Sequence, residues 1–127
     1  MAAIKQFEEI HAWQTARDIT KQVYQLGDQG KFSRDFGFRD QIRRAAVSVM
    51  SNIAEGFESN TQALFISYLG RAKASAGELR SQLYIAYDLK YISKDQFDIL
   101  GEQIRVCSRQ IYKFMKYLES QPNTRRG

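Results

Sequence analysis

Phe97, Leu100, Ile104, Cys107, Ile111, Phe114 and Leu118 follow one another at alternating steps of three and four. At 3.6 residues per turn that spacing keeps every one of them on the same side of a helix, the a/d seam of bundle packing. Ser93 and Gln96 stand just ahead of the seam as S-x-x-Q, the capping box that starts a helix. The single proline, Pro122, lies beyond the seam. No proline therefore interrupts the body of the chain, and long helices are permitted.

Three earlier apolar series share the period. Phe7, Ile10, Trp13, Ala16, Thr20 and Val23 predict a helix over about residues 7–26, ending near Gly27, and "GDQGKFSRD" reads as a loop. Phe38, Ile42, Ala45, Val49, Ile53 and Phe57 predict a second helix ending around Gly56, a residue suited to a left-handed C-terminal cap. Phe65, Tyr68, Ala72, Ala76, Leu79, Leu83 and Ala86 predict a third, with Ser59, Asn60 or Thr61 as its cap. Four amphipathic helices with short later connections favour an all-α fold, an antiparallel up-down-up-down four-helix bundle over residues 1–119. Residues 120–127, "SQPNTRRG", are expected to form a flexible C-terminal tail with nothing to bury. Helix-turn-helix DNA binding is disfavoured, because these helices are too long and too coaxially patterned.

A chain of 127 residues with 43% hydrophobic content can bury one core without staples. Its lone cysteine, Cys107, makes no internal disulfide, which fits a reducing compartment. There is no signal-like N-terminus and no apolar run near the roughly 20 residues that span a bilayer. The expectation is a cytoplasmic protein with no membrane partner. A net charge of +5 and a pI of about 9.4 favour a polyanionic partner such as RNA or DNA.

Catalytic chemistry finds little support. Glu8 and His11 form one E-x-x-H, but a ferritin-like di-metal site needs two such pairs and two further carboxylates, and His11 is the only histidine. No metal or other cofactor is expected. His11 would have to fill every imidazole role in a nucleophilic set, Cys107 sits in an apolar seam, and neither phosphate-loop nor dinucleotide fingerprints occur. The chain is expected not to be an enzyme.

Two polar patterns remain. The second helix carries Gln41, Arg44, Ser48, Asn52 and Glu55 along one side, and the third carries Ser67, Arg71, Ser75, Glu78 and Gln82. Folding back about residues 59 and 60 sets Gln41 opposite Glu78, Arg44 opposite Ser75, Ser48 opposite Arg71 and Asn52 opposite Ser67. Arg44 then comes within reach of Glu78. This is a structural polar seam, fixing helix register or a subunit contact.

On the fourth helix Arg105, Arg109, Lys113 and Lys116 centre almost opposite the apolar seam and form an outward basic ridge with little acidic interleaving. A second basic group, Lys31, Arg34, Arg39 and Arg43, lies in the first loop and on the outer side of the second helix. The ridge, assisted by Arg39 and Arg43, is the expected nucleic-acid-binding surface, contacting phosphates rather than base edges. Tyr68, Tyr84, Tyr87, Tyr91, Tyr112 and Tyr117 fall at or beside core spacing and are expected to pack, with Tyr84 and Tyr91 offering a subunit contact.

"EIHAWQTA" (9–16), "QIRRAAVSVMSNIAEGF" (41–57) and "RAKASAGELRSQLYIA" (71–86) together resemble the four-helix-bundle proteins described from 23S rRNA intervening sequences. The resemblance runs from about Phe7 to Leu118, and its most specific element is S-x-x-x-N-I-A-E-G. Met50 stands where that family often has proline, which should slightly straighten the helix. The resemblance implies a bundle that assembles into a homopentameric barrel with a basic surface for nucleic acid. It also implies kinship with accessory proteins of diversity-generating retroelements, which bind a reverse transcriptase, so a nucleic-acid-processing protein is the alternative partner. No enzymatic activity is implied.

Overall fold

The structure, a computed structural model, describes residues 3–122. Among them are four α-helices and no strand: α1 His11–Leu26, α2 Phe36–Glu58, α3 Gln62–Asp88 and α4 Lys94–Ser120. Short 3-10 turns at Phe7–Glu9 and Phe32–Arg34 precede α1 and α2. The expected tail at 120–127 begins one residue inside α4, and its part beyond Pro122 lies outside the described residues.

Paired residues across each adjacent helix contact run in opposite directions along the chain. Thr20 reaches the Ala46 carbonyl while Arg43 reaches that of Tyr24. Ser48 meets Ser75 while Phe57 meets Phe65. Phe65 packs on Phe114 while Tyr84 packs on Phe97. Cys107 lies on the Ala12 carbonyl while Gln22 bonds Gln103. The bundle is therefore antiparallel, with each helix beside its chain neighbours and α1 closing on α4. The a/d residues Leu100, Ile104, Cys107 and Ile111 are fully buried against Ile19, Val23, Ile42, Ile53, Leu69, Leu79 and Leu83.

Side chains start three of the helices by accepting from backbone N–H groups that have no intrahelical partner. Asp35 accepts from Phe38 N at 3.3 Å and Thr61 from Leu64 N at 3.1 Å. Ser93 and Gln96 form the full reciprocal box, at 3.1 and 2.8 Å. Between α3 and α4, Tyr91 N donates to Ala86 O and Lys90 N to Tyr87 O, the paired bonds of a Schellman stop. Lys90 occupies its left-handed position at φ 62°, where a Cβ is penalised. Lys90→Gly is expected to raise stability by about 0.5–1 kcal/mol, read as a higher urea midpoint at unchanged slope.

The first helix is interrupted, contrary to its periodic pattern. Ile10 is extended (φ −75°, ψ 120°) and separates the turn at Phe7–Glu9 from α1. The break folds the Phe7 ring edge-on to Trp13 at 5.1 Å. Residues six apart on an unbroken helix point well away from each other. Gln14 Nε2 fastens the turn by donating to the Glu8 carbonyl at 2.8 Å.

Gly56 does not cap α2, which continues two residues further to Glu58. It is buried at the α2–α3 crossing, where a Cβ would lie 2.8 Å from Tyr68 Cβ and 2.9 Å from Phe65 Cδ1. Glycine here provides close helix approach rather than a left-handed turn.

The loop before α2 is anchored. Phe32 is 1% exposed and stacks on Phe38 at 5.5 Å and on Tyr91 at 5.3 Å. The Tyr91 hydroxyl donates to Asp35 Oδ2 at 2.7 Å, a bond that holds the phenol above its ordinary pKa. Tyr91 thus ties the α1–α2 connection to the α3–α4 connection.

Candidate nucleic-acid interface

The polar seam forms in a different register. Ser48 Oγ and Ser75 Oγ lie 2.9 Å apart, and Asn52 Nδ2 donates to Ser48 Oγ at 3.0 Å and to the Ser48 carbonyl at 2.8 Å. Ser48 was expected opposite Arg71, one helical turn earlier on α3. The cause is side-chain direction: every Cα–Cβ bond leans toward its helix N-terminus. On α2 this moves side chains away from the α2–α3 connection, and on α3 toward it. Each α2 residue therefore meets an α3 residue further along than the backbone fold-back suggests.

Gln41, Arg44, Glu55, Arg71 and Glu78 are all exposed at the edges of this seam. The Arg71 guanidinium lies 4.8 Å from the Tyr68 ring. Arg44 and Glu78 are not among the ion pairs of the described residues. Gln82, on the same side of α3, is buried, with its Oε1 unpartnered among the described residues.

The α4 ridge is exposed along its length. Glu102, one turn before Arg105, lies 4.0 Å from Arg105 and 3.3 Å from Arg109. Glu119 holds Lys116 at 3.2 Å and keeps its pKa above the ordinary lysine value. The acids thus sit at the two ends of the ridge. Pairs this exposed contribute little to stability and exchange readily for phosphate. The ammonium of Lys116 also lies 5.3 Å from the Tyr112 ring.

Arg39 and Arg43 are occupied elsewhere. Arg43, its side chain 15% exposed, donates to Tyr24 O at 2.9 Å and Asp28 Oδ1 at 3.0 Å, with its guanidinium 4.5 Å from the Tyr24 ring. Arg39 Nη1 donates to Ser33 O at 3.1 Å. Both clamp the α1–α2 connection. A helical wheel gives a side chain's direction but not the loop that folds over it, so sequence reasoning could not show this.

The tyrosines divide. Tyr91 packs as expected, whereas Tyr84 and Tyr112 are 47% and 49% exposed, and Tyr87 is exposed as well. They flank the basic ridge on its α3 side, a feature that spacing alone did not show. Between α3 and α4 lies a recess of about 230 Å³ lined by Arg80, Tyr84, Phe97, Asp98, Gly101 and Arg105.

For other chemistry, Glu8 lies in the 3-10 turn and not on α1 with His11. Among the described residues no three His, Cys, Asp or Glu side chains gather as a metal site. Burial pushes the Cys107 thiol up to about 12, leaving it a poor nucleophile. No helix of the described residues is long and apolar enough to cross a membrane.

No curated protein sequence matches the chain. A protein of unknown function from the S23 ribosomal protein family of Bacteroides thetaiotaomicron has a similar structure, with a TM-score of 0.75 at 19% identity. The similarity covers 83% of this chain and 98% of that one, and at this identity it speaks for the fold. The family model of the 23S rRNA-intervening sequence protein matches residues 8–113. Spanning as it does all or most of every helix of the bundle, that match places the chain in the 23S rRNA-intervening sequence protein family.

Proposed function

We propose that the protein is a non-enzymatic, homo-oligomeric bundle that binds nucleic-acid backbones through α4. The observation that carries this reading is the placement of Arg105, Arg109, Lys113 and Lys116 together on the exposed side of one helix. Lysine and arginine at such spacing neutralise successive phosphates and release counterions. Repetition of the ridge around a symmetric oligomer, a pentamer in the resemblance, multiplies those contacts without new residues. The family's description, tied to a 23S rRNA intervening sequence, agrees with an RNA setting. Arg39 and Arg43 take no direct part, being committed to the first connection.

The test is charge reversal on the ridge. Arg109→Glu with Lys113→Glu should weaken binding of a labelled RNA about tenfold at low salt and flatten the salt dependence. Glu102→Gln, which frees Arg105 and Arg109, should strengthen it about two- to five-fold. Unchanged affinity and salt slope in the double variant would remove the ridge from the account.

A second reading, a scaffold or accessory subunit for a nucleic-acid enzyme such as a reverse transcriptase, draws on one specific feature. Leu64, Ile85, Leu89 and Ile99 are apolar and exposed, surface that a protein partner would cover. Recovery of one stoichiometric protein partner after nuclease treatment would favour it.

A further inference from the structure

We propose that the recess between α3 and α4 seats one nucleotide of a single strand, with its phosphate between Arg80 and Arg105 and its base on the Tyr84 ring. This deepens the nucleic-acid reading and rests on it.

The recess and the ridge share Arg105, so a backbone following the ridge passes its mouth. Arg80 faces Arg105 across it from α3, which gives two guanidinium groups from different helices and the planar, forked donors suited to a phosphate. Arg80 is exposed and has no ion pair among the described residues. The acid on the wall, Asp98, is countered by Lys94 at 3.0 Å.

Aromatic surface lies beside these charges. Phe97 meets Tyr84 edge-on at 4.9 Å and the tilted ring of Tyr87 at 4.8 Å, which steadies the exposed Tyr84 ring at the rim. Tyr112, seven positions beyond Arg105, lies about 10 Å further along the same side of α4 and carries the Lys116 ammonium over its ring. Alternating cations and exposed rings suit a strand whose base faces are free. A duplex hides those faces in its stack and would use the cations alone.

The experiment compares a fluorescein-labelled thymidine 20-mer with a labelled 20-base-pair duplex, titrated with the full chain at the same low salt. The single strand is expected to bind about tenfold more tightly than the duplex. Tyr84→Ala should cost about tenfold on the single strand and leave the duplex unchanged, while Tyr84→Phe, which keeps the ring, should bind as the parent does. Arg80→Ala should weaken the single strand more than the duplex. Tyr84 and Arg80 are exposed, and unchanged melting of each variant separates binding loss from misfolding. If both probes bind but Tyr84→Ala and Arg80→Ala leave single-strand affinity intact, the recess is not the seat and the backbone reading survives. If neither probe binds at low salt, that reading falls, and the proposal with it.

Discussion

Phe32→Ala is expected to lower the unfolding free energy by about 3–5 kcal/mol, the range for deleting a buried phenylalanine. Chemical denaturation should show a much lower midpoint with little change in slope. The side chain is fully buried and stacked on Phe38 and Tyr91, and Tyr91 in turn bonds Asp35, the residue that caps α2. Its removal leaves a cavity and loosens the one aromatic cluster joining the α1–α2 connection to the α3–α4 connection. A loss under 1 kcal/mol would mean that the loop is not anchored as described.

Two identical substitutions on neighbouring helices are expected to act in opposite directions. Gly56→Ala should destabilise by about 2 kcal/mol, because overpacking outweighs the gain of about 1 kcal/mol that alanine brings to a helix interior. The nearest atom to the new methyl is Tyr68 Cβ, which moves only with its backbone, and the Phe65 carbonyl oxygen is 3.3 Å away. Gly77→Ala meets nothing within 4 Å and should stabilise by about 1 kcal/mol. Thermal melting of the pair checks both signs at once. Stabilisation by Gly56→Ala would show that α2 and α3 cross less closely than the structure has them.

Helix type was the legible part of this chain, because an a/d series such as Leu100, Ile104, Cys107 and Ile111 has only one burial solution. The Ser93–Gln96 box was legible for the same reason: it is local chemistry at fixed spacing. What failed to show was everything decided between distant segments. Phe32 is one aromatic in a polar stretch and carries no period, yet its partner Tyr91 lies far along the chain. Gly56 had two valid readings, cap or close approach, and only the position of Tyr68 separates them. The α2–α3 register slipped because fold-back counting follows the backbone while contacts follow leaning side chains, as Ser48 and Ser75 record.

The candidate interface divides along the same line. The α4 cations were legible as a face, since a wheel orients residues on one helix. Arg39 and Arg43 are engaged by the Ser33 carbonyl of the first connection and the Tyr24 carbonyl of α1, contacts between segments that a wheel of α2 alone cannot show. Arg80 carries no signal in the sequence and Tyr84 reads there as a packing or subunit-contact residue, because only the fold sets them beside Arg105 across the α3–α4 groove.

The central claim is that the α4 ridge is a phosphate-binding surface, and the most direct measurement is a titration of labelled RNA with the unaltered protein over a series of salt concentrations, with its mass in solution determined alongside. Four phosphate contacts per protomer predict that log affinity falls with log salt at a slope of about −3, and more steeply in an oligomer that engages several ridges. Absence of binding at low salt, or a slope near zero, would contradict the account and leave the ridge an ordinary solvated helix face.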